Sequence, residues 1–187
     1  MAIAPGRYAL GPEDGTLTVR TGKAGAAAKA GHNLVIEVTS WHATLDVAGG
    51  PEPAAVALTA DARSFKVRSG SGGIGPLGDE ERASIEQSID DDVLKGGAIA
   101  FRSSRVEVAP GGDGLRVEGD LDLLGATRPI AFDLVAGNDG RLTGGVRFKQ
   151  SDWGIKPFSA LFGTLKVADE VEVGIDARLP AASPATA

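Results

Sequence analysis

The residues whose types could support acid–base or metal chemistry are few: two histidines, His32 and His42, with Glu37 and Asp46 as the nearby carboxylates. A working site would need them to converge, yet the histidines stand at opposite ends of what reads as one hairpin. His32 is expected as a loop residue bonded to backbone, and His42 as a solvated strand residue. Asp90, Asp91 and Asp92 could attract a hard cation, but successive helical residues diverge by ~100°, so three in a row cannot surround one ion. They read as a solvated acidic patch. The run Gly70-Ser71-Gly72-Gly73-Ile74-Gly75 lacks the Lys-Ser/Thr ending and the parallel βα setting of a phosphate-binding loop, and reads as a flexible loop. Cysteine is absent, which removes disulfides, thiolate metal sites and thiol nucleophiles together. No catalytic residue, metal ligand or cofactor is assigned from these patterns.

The elements that would position such groups follow from the rest of the chain. Its 187 residues, 42% apolar and 24% charged, suit one domain with a sizeable core, expected over residues 1–180 with a disordered tail at 181–187. A net charge of −6 without a local Lys/Arg run argues against nucleic acid as a partner. No stretch approaches the ~18 apolar residues of a membrane span. The first residues carry neither a basic nor an apolar leader segment, so a cytoplasmic location is expected, or a secreted one if a leader was removed.

Period-two alternation dominates the second half. Leu115, Val117, Gly119, Leu121 and Leu123 share one face, and Arg116, Glu118, Asp120 and Asp122 share the other. Ile130, Phe132 and Leu134 alternate with Ala131, Asp133 and Val135. Leu142, Gly144, Val146 and Phe148 follow, and Val171, Val173, Ile175 and Ala177 form the last strand. Residues 125–129, 138–140 and 110–114 are rich in turn formers and read as hairpin connections. In the first half Leu17 and Val19, Leu34, Ile36 and Val38, residues 41–47, and then Val56, Leu58 and Ala60 show the same parity, with a break at 49–53.

Residues 79–94 differ. Ile85, Ile89 and Val93 recur at helical spacing, Asp79 is placed to cap, and fraying is expected beyond about Ile89, where three aspartates oppose the helix dipole. A lone helix among strands is expected to cover a barrel mouth or pack on its outer wall. Many short strands with one apolar face are safest when closed, because open edges invite aggregation. The expected fold is all-β: one antiparallel, lipocalin-like extended barrel of about eight strands with one inserted helix.

Four blocks carry a resemblance to a known family. Gly119-Asp120-Leu121-Asp122-Leu123-Leu124-Gly125-Ala126-Thr127-Arg128-Pro129-Ile130 resembles the most recognisable stretch of the YceI-like family. Ser151-Asp152-Trp153-Gly154-Ile155, Ala168-Asp169-Glu170-Val171-Glu172-Val173 and Ile99-Ala100-Phe101-Arg102-Ser103 resemble further elements of it. The resemblance implies a lipocalin-like barrel whose tunnel takes a long isoprenoid, quinone-like or fatty chain, with no cofactor. The chain departs from the family at Gly78-Asp79-Glu80-Glu81-Arg82, where members often carry a basic and acidic pair followed by His. His32, in Gly31-His32-Asn33-Leu34, resembles a Gly-His dipeptide of some branches.

The residues expected to meet an apolar ligand are Phe101, Leu121, Phe132, Leu134, Val146 and Phe148 on inward faces, Trp153, Phe158, Leu161 and Phe162 in an apolar irregular run, and His32. Bulky inward rings, Phe65 included, either line a cavity or fill it, and the irregular run serves either as portal or as plug. Three functions therefore stay open. A non-enzymatic carrier comes first, and a homodimer is compatible with it. The others are an enzyme using His32 or Asp152 for proton transfer, and a ligand-free stress-associated scaffold.

Overall fold

Alternating residues can bury one face only if their strands find partners, and every strand does so. A computed structural model describes residues 3–47 and 54–181; the expected break at 49–53 and the tail beyond Ala181 lie outside them. Strands β1 (Gly6–Leu10), β2 (Gly15–Ala24), β3 (His32–Val38), β4 (Trp41–Val47), β5 (Ala55–Asp61) and β6 (Phe65–Gly72) precede helix α1 (Asp79–Ser88). After it come β7 (Ala98–Val108), β8 (Gly114–Leu123), β9 (Ala126–Ala136), β10 (Arg141–Lys149), β11 (Ser159–Ala160) and β12 (Leu165–Arg178).

Twelve segments exceed the eight strands expected, and the difference is one of interruption. β1 and β2 run in one direction along β4 and β3, broken only by the turn at 11–14. β3 runs through Thr39 and Ser40 into β4, and β5 runs into β6 opposite it. Pairing persists across that corner, because Thr39 N–H donates to Ser64 O at 2.9 Å and Asp61 N–H to Ser40 O at 3.0 Å. Ala62 and Arg63 are the surplus residues of this bulge, which bends both strands together. With the interrupted strands joined, eight staves form a ring: β1–β2, β3–β4, β5–β6, β7, β8, β9, β10 and β12. Every pairing is antiparallel. The first stave meets the last, with Gly15 opposite Ala177. On the outer face Arg147 stands directly opposite Glu172, a cross-strand ion pair that favours this register over a slip.

The ring is incomplete along β6, which has β3 on one side and no strand on the other. Helix α1 lies there. Arg82 and Glu86, one helical turn apart, meet the free edge: Arg82 Nη1 donates to Arg68 O at 3.2 Å, and Glu86 Oε1 accepts from Val67 N–H at 2.8 Å. Lys66 Nζ donates to the other Glu86 oxygen at 2.8 Å. Burial pushes the Glu86 carboxyl up, but the Lys66 ammonium and the Val67 N–H outweigh it and hold the group below the ordinary glutamate range. The helix is thus a piece of wall. Its first turn is capped by the backbone of Gly78 and by no side chain, so Asp79 is not the cap. It does not fray after Ser88 but widens into a π-helical turn, Ile89–Leu94. That turn closes on Lys95 and Gly96, both at positive φ.

Two turns differ from expectation. The connection after β8 is only Leu124-Gly125, both at positive φ (56° and 84°), as a two-residue hairpin turn matching strand twist requires; residues 126–129 already belong to β9. The Gly-rich run is not wholly a loop, because β6 continues to Gly72, which pairs with His32. Toward one end of the barrel Leu115, Val117 and Ala177, all at most 2% exposed, pack away from the cavity wall.

A cavity with one polar mouth

Opposite that packed end the barrel is hollow. A cavity of about 590 Å³ runs along its axis, within the ~300–1,000 Å³ range of small-molecule sites. Strand parity builds the walls: Leu17 and Val19 of β2, Leu34, Ile36 and Val38 of β3, Ile130, Phe132 and Leu134 of β9, and Val171, Val173 and Ile175 of β12 all point inward. Ile85, Ile89 and Val93 complete the wall from the helical side. The helix stripe and the strand parities thus face the same space.

Of the residues singled out from the sequence, Phe101, Leu121, Phe132, Leu134, Val146, Phe148, Phe158 and His32 line this cavity. Phe101 and Phe132 meet in a tilted pair with ring centroids 5.3 Å apart. The inward rings therefore border a space and do not fill it. Trp153 is not on the cavity wall. It is buried behind Phe148, 4.7 Å between ring centroids, and its Nε1–H donates to Leu121 O at 2.8 Å, so it braces the wall from the turn that follows β10. Phe162 is also off the wall, with its ring wholly in solvent. Leu161 sits in a single turn with Phe162 and Gly163.

The wall is apolar almost throughout, and its charged groups gather where Lys23, His32, Glu81 and Lys166 border the opening beside Ser84; Thr21, Thr44, Ser88 and Gln150 also line it. His32 opens β3 and is not a loop residue. One of its ring nitrogens, Nε2, lies 2.8 Å from Gly75 O; the other, Nδ1, lies 3.7 Å from Glu81. Gly73 makes that contact feasible: at φ 79° a Cβ there would fall 2.4 Å from His32 Nε2. Lys23 Nζ donates to Gly31 O at 2.8 Å. Gln150, buried on the opposite flank, donates from Nε2 to Ala168 O at 2.9 Å. The Thr21 hydroxyl is buried at the cavity wall with no hydrogen-bond partner among the described residues.

Sequence reasoning passed over Thr21, Lys23, Glu81, Ser84 and Lys166 because it sought aromatic walls. The available signal was the location of the strand ends: Lys23 and Lys166 fall where β2 and β12 reach the mouth. His42 is exposed on β4, far from His32, and Asp152 is exposed outside the cavity, engaged through its backbone carbonyl with Arg128. Among the described residues no three His, Asp or Glu side chains are grouped to hold a metal. No helix of the described residues is long and apolar enough to cross a membrane.

The domain model described as YceI-like matches residues 8–179. The chain belongs to the YceI-like family. Among solved structures, this YceI-like chain is similar to Burkholderia cenocepacia BcnA, with 17% identity and a TM-score of 0.59 over 87% of this chain and 94% of that one. It is also similar to the Campylobacter jejuni YCEI protein, with 15% identity and a TM-score of 0.54 over 78% and 84% of the two chains. At such identities the likeness concerns the fold. No curated protein sequence matches the chain. The YceI-like barrel is the lipocalin-like fold that the four sequence blocks implied.

Proposed function

We propose that this YceI-like chain binds and carries one long apolar molecule, of isoprenoid, quinone-like or fatty type, with its tail along the barrel axis and its polar end at the mouth. The observation that carries this reading is the apolar cavity of about 590 Å³ whose charged lining residues gather at one opening. Burying each CH₂ of a ligand yields about 0.8 kcal/mol, so a twenty-carbon tail gains about 16 kcal/mol gross, enough to offset association costs of about 4–15 kcal/mol. Tight holding needs few polar contacts. Support for carriage over catalysis comes from His32 and Asp152, the groups a proton-transfer reading would use. One has both ring nitrogens facing protein partners, and the other lies outside the cavity.

Incubation with geranylgeraniol followed by native mass spectrometry tests the reading. A one-to-one adduct is expected, lost in Phe132→Asp while that variant stays folded. Undiminished uptake by Phe132→Asp would sink the assigned cavity.

A further inference from the structure

The mouth of the barrel carries an outer surface that holding a ligand does not require. Five large apolar side chains stand exposed among the described residues: Ile74, Val108, Val135, Phe158 and Phe162. Val108 and Val135 belong to the packed end. The other three stand at the mouth, Ile74 in the loop after β6 beside His32, and Phe158 and Phe162 in the segment leading into β12. Phe162 is also held at φ 54°, a conformation a non-glycine residue seldom adopts, with its ring entirely in solvent. Single exposed apolar residues are ordinary; three around one opening are a patch.

Charge singles out the same place. Residues 22–32 and 154–167, which meet at the mouth through Ala27 N–H to Thr164 O at 2.9 Å, contain Lys23, Lys29, Lys156 and Lys166 and no carboxylate. These are four of the seven lysines in a chain of net charge −6. Among the described residues none of the four is ion-paired, whereas Lys66, Arg68, Arg116, Arg141 and Arg147 along the barrel wall each face a carboxylate. The acidic first turn of α1, Asp79 to Glu81, lies beyond β6, on the other side of His32 from Phe162. The basic, aromatic arc thus occupies one side of the opening.

We propose that this arc docks on an anionic lipid bilayer, with Phe162 entering the interface and the lysines facing lipid phosphates, so that the mouth opens onto the membrane surface. The inference rests on the reading of the barrel as a carrier of apolar molecules, which in water are found chiefly in bilayers. Cations on an interfacial surface and aromatic side chains at headgroup depth are the two contributions that together hold a peripheral protein. The acidic turn of α1 tilts the barrel so that its helical side stays farther from the membrane.

Flotation of the full chain with vesicles of equal phosphatidylglycerol and phosphatidylcholine tests this, with pure phosphatidylcholine vesicles in parallel. Binding to the anionic vesicles only is expected, and it weakens as salt rises. The pair Lys29→Glu and Lys156→Glu, neither on the cavity wall, should lower partitioning at least about tenfold, since each lysine near such a surface contributes a several-fold preference. Phe162→Ser should lower it several-fold. Arg105→Glu, at the packed end, should leave it unchanged. No flotation, equal partitioning of the lysine variant and the parent, or an equal loss in Arg105→Glu would overturn the proposal. Geranylgeraniol uptake without vesicles is read separately. Retained uptake with failed flotation rejects docking alone, and lost uptake in the parent chain rejects the carrier reading.

Discussion

The two ends of the barrel are made from the same strands and do opposite things with them. At the packed end, inward residues of neighbouring staves meet, and Leu115 and Val117 are fully enclosed. Toward the mouth the same parity is kept, but the staves part: β6 leaves its pairing line and is faced by a helix, and β9 pairs with β10 only over Asp133–Ala136. Inward residues such as Phe132, Phe148 and Val173 then face one another across space. Strand pattern alone therefore sets which residues point inward, while strand divergence decides whether they touch.

The largest test of that contrast is truncation at each end. Leu115→Ala opens a void in close packing and should cost about 2–5 kcal/mol in denaturant unfolding, whereas Val146→Ala, on a wall that already borders space, should cost less than about 1 kcal/mol. Equal costs would mean that the hollow half is packed. Next in size is ligand: geranylgeraniol at a hundredfold excess over its Kd should add about 2.7 kcal/mol and raise the melting temperature by about 5–10 °C. The gain in amide protection should concentrate in β6, α1 and β12 and leave β8 near Leu115 unchanged. Glu86→Gln comes third, at about 1–2 kcal/mol, because it weakens the bonds to Lys66 and to the Val67 N–H. Its pH dependence has a definite sign. The folded Glu86 carboxyl titrates below its unfolded value, so its contribution is complete above the ordinary glutamate range and is lost as pH falls through the folded value. Acid unfolding of the Gln variant should be correspondingly shallower, and an unchanged acid limb would show that the helix edge contacts contribute nothing. The smallest effect is Trp153→Phe, about 1 kcal/mol for the lost bond to Leu121 O, read as stability with ligand uptake retained.

How much of this was legible beforehand follows the same division. Alternation in β8, β9, β10 and β12 identifies inward residues because each strand keeps one face apolar over its whole length. β1 escaped notice because only Tyr8 and Leu10 mark its buried face. Residues 70–72 read as loop because glycine and serine show no parity; pairing with β3 makes them strand. The roles of Arg82 and Glu86 were invisible, since nothing local indicates that β6 would lack a neighbour. Phe162 reads as a cavity residue because apolar character alone does not tell whether a ring is buried; in the fold it stands in solvent. Thr21 and Lys166 were missed for a related reason: the position of a strand end in space depends on the shear of the whole ring.

The pairing of β2 with β12, which sets Gly15 beside Ala177, also has a meaning in time. The first long strand is made well before its partner on that side, so the ring cannot shut until β12 has been synthesised. Contacts of such sequence separation form slowly. Until then the inward faces of the early strands are uncovered, and the nascent chain has every exposed edge that the finished barrel lacks. The ring of strands therefore forms only after β12 is released, and variants that loosen β12 should be recovered as aggregates during expression even where the mature barrel would tolerate the change.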